Sequence, residues 1–154
     1  MSRLSVPIST LALVISFALP ASANAANSHR NACSYLSHSQ VGATLTVPVK
    51  HASLNNQTCV YQTGRGSMAF VTVIAGDVDG SSPTEIYRSW LHQAGTHARA
   101  RAIGDAHAYM VGTAVLALRD GTMVSTNVLA PGVVHAKSMH MSMRLASPVL
   151  QEMK

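Results

Sequence analysis

The sequence predicts an α+β domain: a single antiparallel β-sheet with flanking helices, held by one disulfide. Three observations predict it. Short runs rich in β-branched and apolar residues follow one another through turn signals, and strands joined by tight turns pair antiparallel. Segments with helical spacing precede, interrupt and follow those runs, and such helices bury their apolar stripe on a face of the sheet. Two cysteines, Cys33 and Cys59, are the whole thiol complement, an even pair.

The elements read in order as follows. Residues 34–45 carry apolar groups at Tyr35, Leu36, Val41 and Leu45 and predict a short helix, with Ser34 or Ser37 as N-cap and Gly42 near its end. Residues 48–58, opening at Pro48 and containing Asn55-Asn56-Gln57, read as a polar loop. Residues 58–63 and 68–75 predict a hairpin about the Gly64-Arg65-Gly66-Ser67 turn. A helix over 82–95 follows. Ser82 and Glu85 have capping-box spacing, Pro83 suits the first helical position, and Gly95 supplies the stop. Ile86, Trp90 and Ala94 share a face, which makes Trp90 a core anchor. An edge strand at 99–103 and strands at 107–111, 113–119 and 122–129 complete the sheet. Asp120-Gly121 marks a two-residue hairpin, and pairing across it places Ala114, Leu116, Leu118, Met123 and Leu129 on the expected core face. The final helix covers 134–153, with a stripe of Met139, Met143, Ala146 and Leu150 and a break or kink at Pro148.

The first segment differs from the rest. Arg3 precedes an almost wholly apolar stretch at 6–19, about 14 residues, too short to span a bilayer as a stable anchor. Pro20 ends it, and Ala21-Ser22-Ala23 and Ala23-Asn24-Ala25 both fit the small-x-small rule of signal cleavage. Residues 1–25 therefore read as a signal peptide and 26–154 as one domain, periplasmic or secreted, with no stable membrane anchor in its mature form. Cys33 follows the polar Asn27-Ser28-His29-Arg30-Asn31, not the apolar run, so it reads as a structural cysteine and not a lipid attachment point. In an oxidising compartment Cys33 and Cys59 pair as a disulfide; a redox or metal thiol pair is the alternative, without a Cys-x-x-Cys to support it.

Charge is sparse: eleven Lys and Arg against six Asp and Glu, a formal net +5. The basic residues are scattered, with only Arg99 and Arg101 close together, and no basic run is interleaved with aromatics as a nucleic-acid groove requires. Nucleic acid is not expected as a partner. Asp77 and Asp79 fail the calcium-loop pattern, which would put a glutamate where Arg88 stands.

Eight histidines and eight methionines, the initiator among them, are the notable chemical resource. They are densest at residues 135–143. On a helix, His135, Met139 and Met143 stand at i, i+4 and i+8, so imidazole and thioether donors converge, the ligand set of Cu(I). The competing reading makes the same methionines core filler. His92 and His97 do not share a helix face. Asp105 and His107 alternate on an extended segment and point the same way, as half of an acid–base pair would, but no Gly-x-Ser-x-Gly elbow supplies a nucleophile, and Gly104-Asp105 reads more simply as a turn.

Several features together resemble a known family. Ala32-Cys33-Ser34-Tyr35-Leu36-Ser37-His38-Ser39-Gln40-Val41-Gly42, leading to Val47-Pro48-Val49, is similar to its opening. Thr58-Cys59-Val60-Tyr61 is similar to its second cysteine, with Tyr61 in place of the usual tryptophan, and Ala102-Ile103-Gly104-Asp105-Ala106-His107-Ala108-Tyr109 resembles its Gly-Asp-x-Ala element at altered spacing. The family is a domain-of-unknown-function group of small exported bacterial proteins, some of them lipoproteins. The resemblance covers nearly the whole mature chain. It implies a compact antiparallel sheet with flanking helices of the PsbP/Mog1 type and a Cys33–Cys59 disulfide, and it implies no activity.

The function expected from the sequence is that of a non-enzymatic exported accessory or binding protein, without a cofactor, whose partner is another envelope protein or a small ligand. The alternative is a periplasmic copper or soft-metal binder using His135, Met139 and Met143. A hydrolase of unrecognised type comes third.

Overall fold

A computed structural model describes residues 30–104 and 106–153. The expected signal peptide at 1–25 and the carboxylate Asp105 lie outside the described residues. A single 3₁₀ turn, Ala32–Ser34, leads into α1 (His38–Leu45), then β1 (Val49–Asn55), β2 (Thr58–Thr63) and β3 (Met68–Ile74). Helix α2 (Pro83–Ala94) and a second 3₁₀ turn, Gly95–His97, connect to β4 (Ala98–Ile103), β5 (Ala106–Val111), β6 (Ala114–Arg119) and β7 (Thr122–Leu129). Helix α3 (His135–Gln151) closes the chain. The seven strands form one sheet in the order β1-β2-β3-β7-β6-β5-β4, every neighbour antiparallel. The predicted α+β class with one antiparallel sheet, helices and a disulfide is the observed one.

Local signals act where expected. Ser37 caps α1 and forms a capping box with Gln40; Ser82 does the same for α2 with Glu85. The Ser82 amide and then its hydroxyl donate to the Glu85 carboxylate and hold its pKa below the usual range. Asp120 and Gly121 both have positive φ, as a primed hairpin turn requires. Helix α1 runs past Gly42 to a left-handed cap at Thr46. Gly42 eases a close approach: a Cβ there would lie 3.3 Å from the Val47 carbonyl oxygen, where the chain folds back toward β1.

Two expectations are corrected. Residues 48–58 are not a loop. Val49–Asn55 form the edge strand β1, with a register irregularity between Val49 and His51. An edge strand with one face toward solvent can be polar, so its composition imitates a loop. The expected core face across the Asp120-Gly121 turn is the lesser of two. Leu116 and Met123 are buried with Ile74 under Ile86, Tyr87 and Leu91 of α2, with Leu118 at the margin, but Leu129 is 46% exposed. The main core lies on the opposite face, where Val115, Ala117, Val124 and Val128 lie under α3 and share one core with Val41 and Leu45 of α1. Both faces of these central strands are apolar because both are covered, so alternation alone does not identify the larger core.

Helix α3 seats on this front face through Met141, Leu145, Ala146, Val149 and Leu150. Two polar groups fix its register. Thr126 Oγ1 donates to the Ser142 carbonyl at 2.7 Å, and an Arg119 guanidinium nitrogen donates to the Leu150 carbonyl at 2.8 Å, near the helix end. Pro148 sits inside α3 and the helix continues past it to Gln151. Its missing N–H forfeits one bond with residue 144.

The N-terminal segment is clamped to the sheet. Cys33 and Cys59 form a disulfide, with a Cα–Cα distance of 4.9 Å. Two residues beyond Cys59, the fully buried Tyr61 sends its hydroxyl to the Leu36 carbonyl at 2.8 Å and stacks edge-on against His38. Burial pushes the Tyr61 phenol up to about 12. Covalent bond, hydrogen bond and ring contact thus hold the same 30–38 stretch on β2.

The disulfide closes a loop of 26 residues, which the chain-entropy model values at about 3.5 kcal/mol. Cys33→Ser and Cys59→Ser should each lower stability by about 2–4 kcal/mol, and the double variant should be no worse than either, in denaturant unfolding. Free thiols titrated by alkylation in the native protein would contradict the bond. Tyr61 adds a pH signature. Its folded pKa is raised above the unfolded value, so its contribution is complete below about pH 10 and is lost as pH climbs toward 12. Unfolding free energy should fall by ~2–3 kcal/mol over that window from Tyr61. Tyr61→Phe should flatten the fall, leaving a residue from Tyr87, whose phenol is also raised by burial and by Tyr109.

Candidate functional site

Two places on the molecule combine exposure with chemistry. The first is the back of the sheet. Helix α2 lies over β6 and β7 there and meets β3 at Ile74; among the described residues no helix lies over the rest of β1–β3 on that side. The register puts Met68, Phe70, Thr72 and Ile74 of β3 on this face, with Val60 opposite Phe70 and Leu129 opposite Met68. Val60, Met68 and Phe70 are half-buried and Leu129 is exposed, so together they form an apolar strip across β2, β3 and β7. Polar groups border it: Thr58 and Thr72 share a hydrogen bond at 2.8 Å, and Thr113 donates to Asn127 at 2.7 Å. Trp90, on α2 and therefore on the same side of the sheet, is 40% exposed. It was expected in the core. Ile86, Tyr87 and Leu91 occupy the seat instead, with Tyr87 edge-on to Tyr109, and Trp90 falls on the helix's flank.

The second place is a cleft of about 690 Å³ at one end of the sheet. Its walls come from the turn after α2, from β4 and β5, and from the first turn of α3. His97, Arg99, Met110, His135 and Met139 line it. His97 ends the 3₁₀ turn and His135 begins α3; both are exposed. Met110 is buried and Met139 half-buried.

The histidine and methionine residues singled out from the sequence are therefore divided. His135 and Met139 share the cleft, one helical turn apart. Met143, a turn further on, is half-buried against the main core and is not among the cleft's lining residues. The buried line of α3 is Ser138, Met141, Ser142, Leu145, Ala146, Val149 and Leu150, so the expected core stripe is corrected at Met139 and Met143, which flank it. The helix presents the adjacent ridge because Ser142 and Ser138 pack close to β7, where the Thr126 hydroxyl reaches a main-chain carbonyl. His97 and Met110 were not grouped with this set in the sequence. They lie 38 and 25 residues before His135, and only the fold brings them to it.

His107 is exposed on β5, opposite Ala102 of β4. Among the described residues, no group of three or more His, Cys, Asp or Glu is placed to hold a metal ion, and no helix is long and apolar enough to cross a membrane. Every buried side-chain nitrogen or oxygen among them has a hydrogen-bond partner. No protein-family model, no curated protein and no solved structure matches the chain.

Proposed function

We propose that this is a small exported accessory protein, periplasmic or secreted, that works by binding another envelope protein and not by catalysis. It docks through the open back of β1–β3. The observation that carries this reading is the strip of Val60, Met68, Phe70 and Leu129 on a sheet face that α2 leaves bare, with Trp90 exposed on the same side. Apolar groups clustered on one face and rimmed by polar ones are the usual form of a protein-binding patch, and an exposed tryptophan is the residue type most enriched at interface hot spots. The front face cannot serve in the same way, since α1, α3 and the disulfide-bound segment already cover it.

Three further features support the exported address. The disulfide is a bond that persists in oxidising compartments. Residues 1–25 have the pattern of a cleaved leader. The ordered motifs around Cys33, Cys59 and Gly104 resemble those of small exported bacterial proteins.

The test is site-directed photocrosslinking in cells that produce the protein. A photoreactive residue at Phe70 or Leu129 should give one discrete adduct, whereas the same residue at Ser147 on α3 should give none. Phe70→Glu and Leu129→Glu should each abolish capture of that partner, and Leu129→Glu should do so with little change in melting temperature, because Leu129 is 46% exposed. Adducts of equal yield from Phe70 and Ser147, or full partner capture by Phe70→Glu, would contradict docking through this face.

A further inference from the structure

We infer that the cleft between the α2–β4 turn and the start of α3 is a binding site for a soft monovalent metal ion, Cu(I) or its redox-silent analogue Ag(I), held by His97, His135, Met110 and Met139. Four donors from three separate elements line one opening: His97 from the turn before β4, Met110 from β5, His135 and Met139 from α3. This donor set differs from the run of His135, Met139 and Met143 along one helix, because the fold exchanges Met143 for two residues that are distant in the chain.

The chemistry selects the ion. Two imidazoles and two thioethers offer no negative charge and no thiolate. Zn²⁺ prefers thiolate, imidazole and carboxylate, and Ca²⁺ or Mg²⁺ need oxygen. Thioether sulfur is a ligand for Cu(I) and its soft congeners. The remaining charged group points the same way. Arg99 also lines the cleft, and its fixed positive charge repels a divalent ion about twice as strongly as a monovalent one at the same distance. Exposure suits capture as well. The two histidines are exposed and can meet an ion in solution, while Met110 is buried and Met139 half-buried, so the thioethers form the inner wall. Binding at this end of the sheet is independent of docking at the back of β1–β3, and either can fail without the other.

The experiment is titration of the purified, disulfide-bonded protein with Ag(I), and with Cu(I) under reductant-free anaerobic conditions. The readouts are calorimetry, native mass spectrometry and the NMR shifts of methionine methyl groups. One equivalent should bind, moving the Met110 and Met139 methyl signals and leaving Met123 in place. His97→Ala and His135→Ala change exposed side chains, so both variants should keep the wild-type melting temperature in the absence of metal. Each should weaken binding by at least the ~10–100-fold that loss of an outer-shell partner costs a metal site. Met139→Leu should do the same with its volume conserved, whereas Met143→Leu and His140→Ala should bind as wild type. Absence of a stoichiometric site, or a site retained in the His97→Ala, His135→Ala double variant, would overturn the inference. So would a loss of binding in Met143→Leu equal to that in Met139→Leu, since that would place the ion along the helix and not in the cleft.

Discussion

The pairing of β3 with β7 is the constraint on which the rest of the molecule depends. Seven consecutive residue pairs, from Met68 opposite Leu129 to Ile74 opposite Met123, join the β1–β3 meander to the β4–β7 meander. Without this seam there would be two small sheets, each short of apolar area for a stable core. With it, Val71 and Val73 sit beside Val124 and Thr126 in a continuous front face that α1 and α3 can cover. The seam is non-local in sequence: 47 residues lie between the end of β3 at Ile74 and the start of β7 at Thr122. Its loop closure is therefore opposed by chain entropy and offset by burial on both faces.

The same seam explains which surface stays open. Strand alternation makes β3 and β4 parallel, and β4 lies at the far edge, so the connection between them must cross β7, β6 and β5 on one side of the sheet. Helix α2 makes that crossing, and it reaches Leu116, Met123 and Tyr109 but not Val60 or Phe70. The apolar strip on β2 and β3 is thus a consequence of topology. On the front face the corresponding area is closed by the shorter N-terminal segment, which a disulfide and the Tyr61 hydrogen bond tie to β2. The two edges of the sheet are blunted differently, β1 by its register break and β4 by Arg99 and Arg101.

Much of this was legible in the residues. Ser37, Ser82-Pro83-Thr84-Glu85, Gly95 and Asp120-Gly121 act through bonds within a few residues of themselves, so their geometry is written locally, and the helices, the hairpins and the α+β class followed from them. The disulfide followed from cysteine number and compartment. What escaped reading depends on distant partners. Strand β1 is polar because it is an edge, and it resembles a loop until β2 is beside it. Trp90 has the spacing of a core residue, yet Ile86, Tyr87 and Leu91 are the α2 residues that pack on the sheet. Met139 and Met143 lie four apart on a helix, but which ridge faces inward is set by Ser142 and Thr126 across the interface. The cleft was half visible, through His135 and Met139. Its other half, His97 and Met110, has no local motif, because the β4–β5 pairing and the landing point of α3 create the proximity.

A domain built in this way has a closed, stapled front, an open apolar back and a histidine–methionine cleft at one end, and all three depend on the central seam being the most stable part of the sheet. Native-state amide hydrogen exchange measures that directly. The amides of Met68–Ile74 and Thr122–Leu129 that bond across the seam should exchange slowest, with one common free energy equal to that of global unfolding, while β1 and β4 open earlier. Exchange of β1–β3 as a separate unit, at a free energy well below that of β4–β7, would show that the two meanders are independent and would contradict the seam as the basis of the fold.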